Sequence, residues 1–293
     1  MALFQISNDK ITIQIDSAGA ELKSLKELAS GREYMWNGDP RYWKRTSPVL
    51  FPLVGGVKDG LYRVDGREYP MGQHGFARDM EFQLKSQVSH EIWFTLESNE
   101  DTLEKYPYPF VLELGYELAD TTVIVKWRVA NPAKECMYFS IGGHPAFLCP
   151  ILERTKQSDY RIRFDTKRQI VSSCLENGLA SGKTVTYKLQ NDILPVTEHL
   201  FDGDALIIEH DQAHGVSLVT PDGRDYLTVE FDAPLFGIWS PPGKQAPFIC
   251  IEPWYGRCDR ADYMGDWRER EWTQALHAGE TFAADYKITV EQI

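Results

Sequence analysis

Apolar and polar residues alternate in short runs along this chain, with a period near two. Lys10 to Ile15 reads KITIQI, Ile92 to Leu96 reads IWFTL, Thr121 to Val129 reads TTVIVKWRV and Thr184 to Leu189 reads TVTYKL. Val216 to Val219, Tyr226 to Phe231 and Tyr286 to Val290 continue the pattern. Val, Ile, Thr, Tyr and Phe dominate these runs and suit a pleated surface buried on one side. Turn residues separate them. Asp65-Gly66 between LYRV and REYPM predicts a tight hairpin, Pro221-Asp222-Gly223 predicts another turn, and Asn131-Pro132 ends a third run. Only the segments around Pro40 to Trp43 and from Trp267 to Leu276 offer more than a turn of helix. The pattern therefore predicts an all-β fold, a large antiparallel β-sandwich with one or two short helices. No repeat, low-complexity stretch or linker interrupts it, so one domain is expected over residues 1–293.

Composition narrows the function classes. The chain has 31 basic and 43 acidic side chains, a formal net charge of −12. A nucleic-acid partner normally requires a basic stripe, so none is expected. No stretch approaches the ~20 apolar residues that span a bilayer, and no membrane association is expected. The N-terminal MALFQISNDK lacks the basic start and apolar run of a secretion signal. The five cysteines are Cys136, Cys149, Cys174, Cys250 and Cys258. Their odd number, scattered spacing and lack of a C-x-x-C pair predict free thiols in a cytoplasmic protein. Monomer and homodimer are both compatible with the chain.

Three motifs fail on context. Gly178-Leu-Ala-Ser-Gly182-Lys183-Thr184 resembles a phosphate loop, but it has three residues between the glycines instead of four and runs into strand rather than helix. His210-Asp-Gln-Ala-His214 resembles a zinc helix motif, but Asp replaces the Glu base and the flanking residues predict a turn between strands. Gly55-Gly56-Val-Lys-Asp-Gly60 lacks the spacing and following helix of a dinucleotide fingerprint. No metal and no nucleotide cofactor is expected.

Two histidines and one carboxylate sit in unusual settings. His74 lies in Gln73-His-Gly-Phe-Ala-Arg78-Asp79, and His144 lies in Gly142-Gly-His-Pro-Ala-Phe147. Glycines permit close backbone approach and Pro145 stiffens the turn, an arrangement suited to holding an imidazole at a strand end. Glu252 interrupts the apolar run Ile249-Cys-Ile-Glu-Pro-Trp-Tyr255. A buried Glu either acts as a base of raised pKa or is neutralised in an ion pair, here with Arg78 or Arg257. Phe76, Phe147, Trp239, Trp254 and Tyr255 offer flat faces for a sugar or for a core. Asp204, just before the apolar Ala205-Leu-Ile-Ile208, either accepts hydroxyl hydrogen bonds or closes a turn.

Together these motifs resemble the aldose 1-epimerase (galactose mutarotase-like) superfamily, in particular its LacX-like branch. The resemblance runs from Ser17-Ala-Gly-Ala-Glu-Leu22 and Pro48-Val-Leu-Phe-Pro-Leu-Val-Gly55 through His74-Gly-Phe-Ala-Arg78 and Gly143-His-Pro-Ala-Phe147. It continues to Asp204-Ala-Leu-Ile207 and Glu252-Pro-Trp-Tyr-Gly256. It implies a β-sandwich with a monosaccharide site on its concave face. It further implies His144 as general acid and Glu252 as general base, with His74, Asp204, Arg78 and Trp254 binding the substrate. Many relatives carry an Arg after the FPxVG segment, where this chain has Gly56; Lys58, Arg45 or Arg78 are the candidates to replace it.

The implied reaction interconverts the α and β anomers of an aldohexose. A base removes the C1 hydroxyl proton, an acid protonates the ring oxygen, the ring opens, C1–C2 rotates and the ring closes. Only protons move, so one carboxylate and one imidazole suffice, each contributing in the usual ~10²–10⁴-fold range. An ionised Glu252 beside His144 would keep the imidazole charged. Alternatives are a hexose-6-phosphate mutarotase, with Arg41, Lys44 and Arg45 as phosphate ligands, and a non-catalytic sugar-binding protein. A glycosidase using Asp204 and Glu252 would leave both histidines without a role.

Overall fold

The structure is a computed structural model and describes residues 2–293. It is all-β, as the alternation predicts, and is built on two large sheets whose ladders are antiparallel. The nine-stranded sheet runs in the order Ile193–Pro195, Arg161–Phe164, Gly215–Val219, Asp225–Phe231, Thr281–Val290, Thr122–Ala130, Val111–Ala119, Glu91–Glu97, Gln83–Gln87. The eight-stranded sheet runs Leu179–Lys188, Gln169–Glu176, Leu206–Glu209, Leu235–Trp239, Phe248–Tyr255, Ile141–Gly143, Val49–Leu50, with Ala146–Leu148 also paired to Phe248–Tyr255. A three-stranded sheet, Leu3–Ser7, Ile11–Asp16 and Glu21–Glu27, and two two-stranded sheets complete the fold. One core cluster joins Val123, Val125, Trp127 and Val129 of the first sheet with Ile249 and Ile251 of the second.

The strand Phe248–Tyr255 organises the site. It is buried on both faces, which explains its nearly continuous apolar run. Period-two alternation sends Ile249 and Ile251 into the main core. Phe248 and Cys250 enter one satellite cluster and Trp254 another. Glu252 therefore emerges at the seam between two apolar patches.

The predicted turns are observed. Asp65-Gly66 joins Leu61–Val64 to Arg67–Pro70, and Pro221-Asp222-Gly223 joins Gly215–Val219 to Asp225–Phe231. The Gly178 segment is a hairpin, and His210 to His214 lie in a bend between strands. The helical expectations need correction. Pro40 to Trp43 form a single turn closed by the Tyr42 and Trp43 N–H groups on the Asp39 carbonyl. Trp267 to Leu276 is a short 3-10 turn, Trp267–Glu269, followed by the strand Gln274–Leu276. Trp267 is buried and donates its indole N–H to Tyr138 O at 2.7 Å, while Trp272 has φ 65°, which helix excludes. The α-helix of the described residues is Glu100–Lys105. Asn99 and Thr102 cap it reciprocally at 2.9 and 2.8 Å, a local signal that the apolar pattern does not report.

Candidate active site

A cleft of about 580 Å³ opens on the face of the eight-stranded sheet that points away from the main core. The fold brings His74, Arg78, His144, Asp204, Trp254 and Glu252 to it, from segments far apart in sequence. Trp43, Arg45, Gln73 and Trp239 also line it. Trp43 belongs to no alternating run and no site motif, so the sequence pattern does not single it out.

His144 and Glu252 meet at the floor. His144 Nε2 and Glu252 Oε2 stand 3.2 Å apart, and the residues are only 6% and 1% exposed. They are close without being hydrogen-bonded, since Glu252 Oε2 and His144 Nδ1 both lack a partner. Neither arginine considered for Glu252 reaches it. Arg257 pairs with Glu209 and Glu271, and Arg78 donates to Gln73 O at 2.7 Å. The ion-pair alternative for Glu252 is therefore excluded.

Trp43 stacks on the His144 ring at 4.6 Å between centroids, and Trp239 meets it edge-on at 5.5 Å. Gly142 is needed beside the imidazole because a Cβ there would lie 2.5 Å from the Trp254 ring. The pocket floor is thus set by a close strand–indole approach rather than by any single motif.

Burial dominates the electrostatics. It pushes His144 down to about 3, helped by the positive charges of Arg78 and Arg45. Burial also pushes Glu252 well above the carboxylate range, and the Asp204 charge adds to the rise. The Trp254 indole opposes that rise, although its N–H is itself left without a hydrogen-bond partner. The sequence reading has an ionised Glu252 keeping His144 charged; burial works in the opposite direction on both groups, favouring the neutral carboxyl and the neutral imidazole. A low-dielectric site disfavours two separated charges even when they would attract.

His74 occupies the next position. Its ring stands perpendicular to His144 with centroids 5.5 Å apart, and its backbone φ is 67°. Nδ1 accepts from the Gly55 N–H at 3.1 Å, so the neutral ring carries its proton on Nε2. Burial, then His144, Arg78 and Arg45, hold its pKa well below the usual imidazole value. Gly75 has φ 70°, and a Cβ there would strike Phe51 O at 2.2 Å, so the His-Gly pair follows from the backbone path.

Charges divide the cleft. Asp204 acts on Glu252 and is oriented by the Trp239 indole N–H at 2.9 Å and the Ala205 N–H at 2.9 Å. Arg45 and Arg78 act on the His74 side. Arg45 bonds Asp79 at 2.7 Å, while Arg78 Nε has no hydrogen-bond partner. Burial and the neighbouring Arg45 lower Arg78 to about 10. These two guanidiniums line the cleft, whereas Gly56 is not among its lining residues. Lys58 lies elsewhere, against Met264, and Arg41 is turned away onto Asp39. A second concavity of about 480 Å³ lies over the nine-stranded sheet, but its Arg163 is already paired with Asp192 and Asp225.

Comparison with known proteins agrees with this architecture. Residues 2–289 match the aldose 1-epimerase family. The chromosomal protein LacX of Lactococcus lactis subsp. lactis is 33% identical over 262 residues, 86% of this chain and 87% of the relative. A galactose mutarotase related enzyme from Lactobacillus acidophilus superimposes with a TM-score of 0.95 at 32% identity, covering 99% of this chain and 98% of its own. A galactose mutarotase-like protein from Lactobacillus casei gives 0.91 at 31% identity, covering 99% and 100%. Among the described residues no helix is long and apolar enough to cross a membrane. By sequence over nearly its whole length, and by the fold that carries the cleft, the chain belongs to the aldose 1-epimerase family.

Proposed function

We propose that the protein is a mutarotase that interconverts the anomers of an aldohexose, with Glu252 and His144 as the proton-transferring pair. The observation that carries this reading is their 3.2 Å approach at the floor of an open cleft, with no cation neutralising the carboxylate. Glu252 takes the C1 hydroxyl proton and His144 protonates the ring oxygen. The pair holds one proton in total. Burial favours that proton on Glu252 and a neutral His144, the distribution expected just after ring opening. A sugar whose C1 hydroxyl donates to Glu252, and whose ring oxygen accepts from His144, draws the proton across the short gap. Ring closure on the other face then reverses both transfers. His74 Nε2–H donates to a sugar oxygen, Asp204 accepts from a hydroxyl, and Trp254 lies along an apolar ring face. Free thiols at all five cysteines support a reducing, cytoplasmic setting.

Polarimetry on freshly dissolved α-D-glucose and α-D-galactose tests the reading. Faster approach to equilibrium with the native chain, and loss of that acceleration in Glu252→Gln, is the expected result. Sugar binding without acceleration would instead make this a non-catalytic sugar-binding protein. The guanidinium pair favours one second reading, a phosphorylated hexose. Arg45, Arg78 and Lys44 line one end of the cleft, and fork-shaped guanidinium groups suit phosphate oxygens. A higher kcat/KM on glucose 6-phosphate than on glucose would select it.

A further inference from the structure

Cys250 has no part in the proton transfers, yet it lies two residues before Glu252 on the same strand face. Its Sγ, a His144 nitrogen and a Glu252 carboxylate oxygen all lie within 4.8 Å of one another, and all three residues are buried. Sulfur, imidazole nitrogen and carboxylate oxygen form a donor set that zinc favours. Three protein ligands with an open fourth position are the arrangement of a solvent-accessible zinc site. Zinc bonds of about 2.0–2.3 Å imply donor-to-donor edges of roughly 3.3–3.5 Å, so small side-chain rotations would close the set around an ion.

We propose that the floor of this cleft is a Zn²⁺ site made by His144, Cys250 and Glu252, and that zinc and sugar turnover exclude one another there. The charge balance is favourable. An entering Zn²⁺ releases the Cys250 thiol proton and the Glu252 carboxyl proton to solvent, and the resulting thiolate and carboxylate offset its two positive charges. No oxidation or reduction is involved. Trp43 holds the His144 ring from one face, and Glu252 Oε2 has no competing hydrogen bond to lose. The fourth position faces the cleft and takes water. A bound ion occupies the Nε2 and Oε2 sites that the sugar needs, so inhibition is competitive. No spacing motif announces this set, because His144 lies in the link between Ile141–Gly143 and Ala146–Leu148 while Cys250 and Glu252 lie on Phe248–Tyr255, whereas His210 and His214 share a motif without a third ligand.

Metal-free full-length protein titrated with Co²⁺ should show one thiolate-to-cobalt absorption band per chain, displaced by Zn²⁺. Cys250→Ala should lose that band and bind Zn²⁺ roughly tenfold or more weakly by calorimetry. It should keep its mutarotation but no longer be inhibited by micromolar Zn²⁺. Cys250→Ser, which preserves volume, checks by circular dichroism and Co²⁺ titration that the loss is not misfolding. Persistence of the band in both variants would place the ion on another thiol and overturn the proposal, as would a native chain that binds no Zn²⁺. A chain that binds Zn²⁺ through Cys250 but accelerates no sugar would keep the zinc site, overturn its role in turnover and sink the mutarotase reading on which that role rests.

Discussion

Two buried glutamates in the same sheet show how the fold separates a carboxylate held by a cation from one left without any. Glu209 ends the strand Leu206–Glu209, and Glu252 sits mid-strand in Phe248–Tyr255, with Leu235–Trp239 between them. They are 7% and 1% exposed. Glu209 is saturated: Arg257 Nε reaches it at 2.7 Å, the Trp272 indole donates to it at 2.8 Å, and the Ser173 hydroxyl donates as well. Burial would raise its pKa, but Ser173 and Arg257 outweigh burial and leave it lowered. Glu252 meets no cation: around it are the edge of His144, the Cys250 thiol, the unfulfilled Trp254 N–H and the repelling field of Asp204. Two buried carboxylates thus have opposite protonation tendencies: Glu252 is the more deeply buried and has the fewer fixed donors. A saturated carboxylate holds the fold together; an unsaturated one at a cleft remains free to exchange a proton.

The sharpest break of this comparison is Glu252→Gln. It should cut mutarotation by about 10²–10⁴-fold while the protein stays folded, measured by polarimetry alongside a thermal melt. The opposite outcome is expected for Glu209→Gln. It leaves Arg257 short of an anion and should cost about 3 kcal/mol of stability in urea unfolding, with activity per folded molecule close to native.

Stability against pH should separate the two carboxylates by sign. Glu209 has a lowered folded pKa, so its contribution is present above its unfolded value of ~4.3 and is lost as pH falls through the folded value. Glu252 has a raised folded pKa, so the native state holds the extra proton and its cost to stability grows as pH rises above ~4.3. Relative to wild type, Glu252→Gln should therefore gain stability with rising pH, while the deficit of Glu209→Gln should shrink in acid. His144, lowered to about 3, adds a stability loss as pH falls below ~6.5, and His144→Asn should flatten that limb. Unfolding titrations from pH 3 to 8 measure all three.

Trp239→Phe should have the smallest effect. It removes the indole donor that orients Asp204 and keeps the ring against His144. A rise in KM of about tenfold with little change in kcat is expected from steady-state polarimetry. A fall in kcat alone would mean that Asp204 acts on the transition state rather than on binding.

Much of the fold was legible because strand alternation and turn chemistry are local. The Asp65-Gly66 hairpin and the doubly buried Glu252 strand follow from a few neighbouring residues each. The segment from Trp267 to Leu276 was not legible, because distant Tyr138 captures the Trp267 indole and pairing with Met137–Phe139 draws Gln274–Leu276 into a strand. The site was legible in part. His74, His144, Asp204 and Glu252 stand out by odd local context. Trp43 was hidden because only its stacking on His144 gives it a role.

The sequence by itself determined the alternating strands, the turns between them and the presence of a carboxylate inside an apolar run, since each depends on residues within a few positions. Only the tertiary structure decided which glutamate would be neutralised, which arginines would face the cleft and on which side of the Glu252–His144 pair the proton would rest. Those outcomes depend on distances between segments on different strands and loops, and on how completely the packed sheets exclude water from them.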